Sequence, residues 1–152
     1  FSAPIVTVQE RVYVKAGVSK FDAGTPEAFA GSTLCLASGA VPHPKLEGLL
    51  GSGKLKRVAP MNVSTCIELV ESGLADFFVL EERLGKAALK ASGLPASAVV
   101  LAATAPLSES ALYLVAPKGK ESSPGVIAKF NEGLQKMRQN GSYDQVLKAH
   151  SP

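Results

Sequence analysis

STCIELVESGLADFFVLEE, residues 64–82, reads as a capped helix that runs directly into a buried strand. Thr65 is placed to cap the helix, and Glu68 three residues on returns the bond, the pattern of a capping box. Cys66, Leu69, Val70 and Leu74 recur at helical spacing with Ile67 beside them, so this stripe is expected to face a core while Glu68, Glu71 and Ser72 face out. Gly73 is the expected stop. Phe77 to Leu80 then form an apolar run without alternation, as in a parallel strand covered on both faces. The run ends on Glu81 and Glu82, which puts two carboxylates at the carboxyl end of a parallel strand, where open α/β sheets place their ligand crevice.

Upstream of this stretch the signals alternate between strand and helix. Val6, Val8, Val12 and Val14 are spaced for a strand, Thr25 and Pro26 open a short helical turn through Phe29, and Thr33 to Ala37 (TLCLA) is a second buried strand. Small residues Ser38, Gly39 and Ala40 lead from it to a helix that Pro44 opens and that carries Leu46, Leu49 and Leu50. Leu55 to Ala59 is another short strand. The resulting βαβαβ order predicts an α/β fold with a parallel sheet flanked by helices. Downstream, Leu84 to Lys90 reads as a helix ended by Gly93 and Pro95, and Val99 to Ala102 as a strand. The ATAPLS segment, residues 103–108, marks a crossing point, and Ala111 to Ala116 resumes the strand pattern. The tail is helical, with Ser123 as cap, Pro124 in the first turn, and a stripe of Ile127, Phe130, Leu134 and Met137. A short helix from Tyr143 to Ala149 completes the chain.

Composition narrows the classes. A 152-residue chain with 46% hydrophobic residues can bury one good core, or one lobe plus part of another. The net charge of +3 is mild, and its basic residues are scattered rather than gathered into an aromatic-bearing stripe, which argues against nucleic acid. No apolar run approaches the ~20 residues of a membrane span, and opening on Phe1 without Met reads as a processed or trimmed product. Cys35 and Cys66 are too few for a disulfide scaffold. His43, set between prolines, has no partner at metal-ligand spacing and is expected to be solvated, as is His150. Arg11 alternates outward on its strand and is expected to be solvated or, beside a crossing segment, to face a cleft. Neither a metal nor a cofactor is called for.

Taken in order, FSAP at residues 1–4, Gly39 after a buried strand, ELVESGLADFFVLEE, a strand ending at Lys118 and Gly119, and FNEGLQKMRQNGSYDQVLKAH resemble the family 3 extracellular solute-binding proteins. These are the periplasmic amino-acid receptors of ABC importers. The tail is the most specific part: Phe130, Asn131, Leu134, Met137, Gly141 and Tyr143 fall in the places of the family's last-helix pattern. Gly73 and Asp76 match its G-x-x-D pair before a strand.

The resemblance implies a type II periplasmic-binding-protein lobe in an α/β arrangement, with the second lobe spanning residues 5–103. Residues 104–152 would supply a crossover strand and C-terminal helices belonging to a largely missing first lobe. It further implies a periplasmic or extracellular location and capture of an amino acid or related carboxylate for a membrane permease. The backbone of Ser38, Gly39, Ala40 and Val41 is then expected to hold an anionic group, with Gly39 otherwise a simple turn. Relatives carry Gly-Thr there, and Ala40 removes the hydroxyl. Ser64 and Thr65 would line the cleft. Glu81 takes the place of an Asp that meets the ligand's α-amino group, or else caps the helix after it. In an exported protein Cys35 and Cys66 form a disulfide or stay as two buried thiols. With its bed absent, the α-helical stripe Ile127, Phe130, Leu134, Met137 is open to a homodimer contact. Two other classes share the scaffold: a dehydratase acting on prephenate-like acids, with Glu81 as general acid or base, and a ligand-sensing receptor domain.

Overall fold

The computed structural model describes residues 1–150, in two compact units, Gln9–Ser108 and Phe1–Val8 together with the chain from Glu109 on. The strands β1 (Val6–Lys15), β2 (Thr33–Cys35), β3 (Lys56–Val58), β4 (Phe77–Glu81), β5 (Val99–Leu101) and β6 (Ser108–Leu112) are joined by α1 (Pro44–Gly51), α2 (Val63–Ser72), α3 (Glu82–Ala91), α4 (Ser123–Gln139) and α5 (Ser142–Ala149). The strand order is β3-β2-β4-β1-β5, with β6 paired to β1. Parallel pairing joins β3 to β2 and β2 to β4, as the βαβαβ pattern requires. On the other side of β4 the strand β1 runs antiparallel, and β5 is antiparallel to β1, so the sheet is mixed. Among the described residues no helix is long and apolar enough to cross a membrane.

In the Gln9–Ser108 unit the strand period of two sends neighbouring residues to opposite faces. Val12, Val14, Leu34 and Phe77 join Phe21, Phe29, Leu46 and Leu49 in one core layer. Tyr13, Cys35 and Phe78 join Cys66, Ile67 and Val70 of α2 in the other. Both layers are buried, which is why Phe77–Leu80 reads as a continuous apolar run. The Phe21, Phe29 and Phe77 rings meet at centroid distances of 4.8–5.1 Å in the first layer.

Several local readings need correction. The α2 cap is Asn62, whose Oδ1 accepts from the Thr65 N–H at 2.9 Å and the Thr65 hydroxyl at 3.1 Å; Thr65 lies inside the first turn. Asn is at least as good a cap as Thr, and starting there adds Val63, Ser64 and Thr65 to the helix. Gly73 ends α2 in the left-handed region at φ 80°, as expected of a C-cap glycine, and so throws Leu74 out to 69% exposure instead of into the core. The last strand occupies Ser108–Leu112, earlier than Ala111 to Ala116. In α4 the cap position is Ser122, with Ser123 and Pro124 already helical.

The G-x-x-D pair has a mechanical role. Asp76 accepts from the Thr33 N–H at 2.8 Å while its own N–H donates to the Thr33 carbonyl at 2.9 Å, locking the entry of β4 onto β2. Lys20 pairs with the second carboxylate oxygen at 3.0 Å.

The other unit explains the tail motif. Asn131 Oδ1 accepts from the Ala3 N–H at 2.7 Å, and the Tyr143 hydroxyl donates to the Ile5 carbonyl at 2.6 Å. Arg138 donates to the Pro4 carbonyl, also at 2.6 Å. These bonds from α4 and α5 hold the FSAPI segment, whose Ser2 and Ile5 N–H groups donate to Leu114 and Leu112 carbonyls. Gly141, at φ 78°, makes the tight turn between the two helices. Of the α4 stripe Leu134 is buried and Ile127, Phe130 and Met137 are partly buried. Phe130, Leu134 and Met137, with Ile5, Tyr143 and Val146, line an apolar hollow of about 330 Å³.

Tyr13 stacks on Phe78 at 4.8 Å with the rings 4° from parallel, and its hydroxyl donates to the Glu82 carbonyl at 2.9 Å. Burial, then the nearby Glu82 and Glu81 carboxylates, push its phenol up to about 12. The ring passes so close to α3 that a Cβ on Gly85 would lie 2.1 Å from the hydroxyl. Gly85→Ala in an exposed helix would stabilise by about 1 kcal/mol. Here overpacking reverses the sign, and thermal or urea denaturation should register a loss of about 2 kcal/mol or more.

Candidate functional site

β2 and β4 run parallel and so point their carboxyl ends to the same edge, with Cys35, the last residue of β2, paired to Phe78 and β4 continuing three residues further to Glu81. Three segments leave this edge: the Leu36–Pro42 loop after β2, the head of α2, and the β4–α3 junction at Glu81. A disulfide between Cys35 and Cys66, with Cα atoms 5.4 Å apart, staples the loop's origin to the first turns of α2. Around it sits a small apolar hollow of about 60 Å³ bordered by Ala37, Ala40, Val63 and Leu80.

The loop is less of a helix N-terminus than its sequence suggests. Pro42 and Pro44 hold the residues before them in extended backbone, so α1 starts only at Pro44, after Val41. The Ser38 N–H is spent on the Pro60 carbonyl at 2.7 Å and that of Ala40 on the Ala37 carbonyl at 3.0 Å. Gly39 turns the chain at φ 79°. Ser38 through Val41 are exposed, and the N–H groups left to meet an anion are those of Gly39 and Val41. On α2, Thr65 is committed to its cap, whereas Ser64 is exposed.

Glu81 ends β4 and also caps α3. Its two carboxylate oxygens accept from the Arg83 and Leu84 N–H groups, each at 3.1 Å. Directly across the antiparallel ladder from Glu81 stands Glu10. Like charges in directly opposed positions repel. The structure relieves this by turning each carboxylate to its own donors, Glu81 to the head of α3 and Glu10 to Ser108 Oγ at 3.0 Å.

Glu10 has a second neighbour that overturns the expectation of a solvated His43. The His43 side chain is only 6% exposed, and its Nε2 lies 3.4 Å from Glu10 Oε2. Its Nδ1 accepts from the Lys45 N–H at 3.2 Å, making it the cap of α1. Burial, opposed by Glu10 and aided by Lys45, keeps the imidazole below its ordinary 6.5. A histidine between two prolines gives no sequence signal for this, because the partner lies on a strand more than thirty residues away. The Ser108 hydroxyl faces Glu10 and the imidazole does too, so no serine–histidine pair is set up for nucleophilic chemistry.

Arg11 is likewise not solvated. Its guanidinium donates to Glu82 at 3.1 Å, Gln9 at 3.3 Å and the Thr104 carbonyl at 3.4 Å, with 20% of the side chain exposed. It thereby ties β1 to α3 and to the segment after β5. His150 is exposed, as expected.

No family model matches the sequence, and no curated protein matches it. Solved structures do. The chain superposes on an ancestral amino-acid-binding protein, AncCDT-1, a precursor of cyclohexadienyl dehydratase, with TM-score 0.62 and 20% identity over 100% of this chain and 61% of that one. The fold is that of the type II periplasmic binding proteins. An amino acid ABC transporter substrate-binding protein from Streptococcus pneumoniae, AbpA bound to L-arginine, matches at TM-score 0.62 and 17% identity, over 98% of this chain and 59% of that one. A histidine kinase sensor domain with similarity to periplasmic binding proteins matches at TM-score 0.64 and 18% identity, over 98% and 61%. The chain thus spans about three fifths of each of these binding-protein-like structures.

Two measurements probe this edge of the binding-protein fold. Replacing both cysteines, as Cys35→Ala with Cys66→Ala, frees the 31-residue separation that the bridge closes and should lower unfolding stability by about 3 kcal/mol. Acid should weaken the frame through two other groups. Asp76 is held below its usual 3.8 because the Thr33 N–H and Lys20 outweigh the cost of burial, and Glu82 below 4.5 by Lys86, against burial, and by Arg11. Both bind protons more weakly folded than unfolded, so their contribution is intact above about pH 4.5 and is lost as pH falls through their folded values. Denaturant melts between pH 6 and 3 should be flatter for Asp76→Asn with Glu82→Gln than for the native chain.

Proposed function

We propose that this chain is part of a periplasmic or extracellular solute-binding protein that captures a small polar solute, an amino acid or related carboxylate, and delivers it to the permease of an ABC importer. The observation that carries this reading is the shared edge at the ends of β2 and β4. Ser38, Gly39, Ala40 and Val41 follow β2, Glu81 ends the parallel β4, and Ser64 and Thr65 head α2, which the Cys35–Cys66 bridge ties to β2; in this reading all of them face one cleft. The arrangement offers complementary ends to a zwitterion. The Gly39 and Val41 N–H groups, with the head of α2, suit a carboxylate, since unpaired N–H groups and the helix dipole both favour negative charge. The Glu81 carboxylate suits an ammonium group. Its bonds to Arg83 and Leu84 leave further lone pairs and fix its direction. The fold similarity to an arginine-bound transporter protein and to an ancestral amino-acid-binding protein supports the same class.

Residues Phe1–Val8 and the chain from Glu109 on would belong to the first lobe, and closure of two lobes on the solute would give the permease a ligand-dependent state to read. The similarity to a histidine kinase sensor domain favours a second reading, in which the same solute site serves signalling rather than import.

Calorimetric titration with a panel of L-amino acids and short carboxylates tests the proposal. Saturable binding of at least one α-amino acid is expected, and Glu81→Gln should weaken it by about tenfold or more, the effect of losing a charged hydrogen bond. The amide oxygen of that variant keeps one of the two capping bonds to α3 while its NH2 faces the other N–H, so its melting temperature should fall by a few degrees with the fold retained. Binding that ignores Glu81→Gln, or no heat with any member of the panel, would count against this site.

A further inference from the structure

We propose that the hollow between the end of α3 and the start of β5 is a binding site for a small amphipathic carboxylate, of which a medium-chain fatty acid is the simplest form. The site is separate from the edge that carries Gly39 and Glu81, and it does not rest on the solute-binding reading.

Its place follows from the register of the sheet. β5 begins at Val99, which pairs with Lys15 at the end of β1, and Phe77, the first residue of β4, pairs with the adjoining Val14. α3 starts where β4 ends, so it has to carry the chain back to that point, and its ten residues cover about 15 Å. Its last turns therefore lie at the opposite end of β4 from Glu81. There Ser92 stops the helix and Gly93 turns the chain at φ 72°. The Ala98 N–H then closes a turn on the Pro95 carbonyl at 2.8 Å before β5 begins. Between this connection and α3 lies a hollow of about 410 Å³, within the roughly 300–1,000 Å³ of small-molecule sites.

Its walls combine two chemistries. Val99 is buried, and Leu89 and Leu94 pack against the same core layer as Tyr13 and Phe78, so the floor is apolar. Pro95 and Ala96 extend that surface. On α3, Lys86 and Lys90 are one turn apart on the face that also carries Leu89, and both border the hollow. Lys86 is engaged by Glu82 at 2.5 Å. Among the described residues no carboxylate pairs with Lys90, which is exposed.

The carbonyls at the end of a helix repel anions, but here they already have donors. The Ser92 N–H bonds to the Ala88 and Leu89 carbonyls, and its hydroxyl donates to that of Leu89 at 2.7 Å. An apolar floor with an unpaired cation at its border matches a ligand with an apolar body and one anionic end. Burial of the body gives the affinity, and the charge gives the orientation. A ligand of the same body with an ammonium end meets two like charges instead.

Two-dimensional NMR of the backbone amides of the full chain at pH 7.5, with sodium octanoate as probe, tests the site. Saturable shifts are expected at Leu89, Lys90, Leu94, Ala96 and Val99. Butanoate, four CH2 groups shorter, should bind at least tenfold more weakly if the floor takes up the chain. Lys90→Met should raise the octanoate dissociation constant about fivefold, the upper end for an exposed ion pair, with the fold unchanged. Octylammonium should leave these amides still. The proposal is overturned by an absence of saturable shifts at these residues, by shifts centred instead on the α4–α5 hollow, by equal binding of butanoate or octylammonium, or by an affinity that ignores Lys90→Met. Amino-acid titration is read separately, at Glu81, so either proposal can fail while the other stands.

Discussion

Phe77 and Phe78 are neighbours in the chain and point to opposite sides of the sheet, and the register that fixes this governs everything else. With β2 on one side and β1 on the other, Phe77 closes an aromatic layer with Phe21 and Phe29 while Phe78 stacks on Tyr13. A slip of one residue would exchange the layers and bring the strand's carboxylates into the interior. Asp76 guards against that slip. It grips Thr33 by both its backbone and its side chain at the point where β4 enters.

From that register the constraints propagate outward. Tyr13 lies flat against Phe78 and reaches the first turn of α3, which leaves room for no side chain at Gly85. The same ladder sets Glu10 opposite Glu81. Two carboxylates in that relation need separate sources of compensation, and each finds one: a helix head for Glu81, a serine and a buried histidine for Glu10. Charge placement at this edge thus follows from core packing. Arg11 belongs to the same logic, since its outward alternation carries it to Glu82 and Thr104 rather than to water.

The disulfide holds the root of a loop of small residues. A loop of small residues has little apolar area with which to hold itself. Here the Cys35–Cys66 bridge fastens its root to α2, while Pro42 and Pro44 stiffen its far end. The free Gly39 and Val41 N–H groups lie between those two points. The tail helices solve a similar problem for a different segment, using Asn131, Arg138 and Tyr143 to satisfy carbonyls and an N–H of the extended lead-in that no sheet partner takes up.

The sequence by itself determined the order of strands and helices, the parallel pairing of β3, β2 and β4, the stop at Gly73 and the turn at Gly141. Each rests on local chemistry: an apolar period, or a glycine where the chain must turn left-handed. The edge bearing Gly39 and Glu81 was legible for the same reason, since chain direction alone places it. Tertiary structure decided what those residues touch. Capping by Asn62 rather than Thr65 turned on one competition within a single turn. The burial of His43 and Arg11 and the pairing of Glu10 with His43 depend on contacts distant in sequence. No periodicity encodes them, because they exist only once β1 has been laid beside β4.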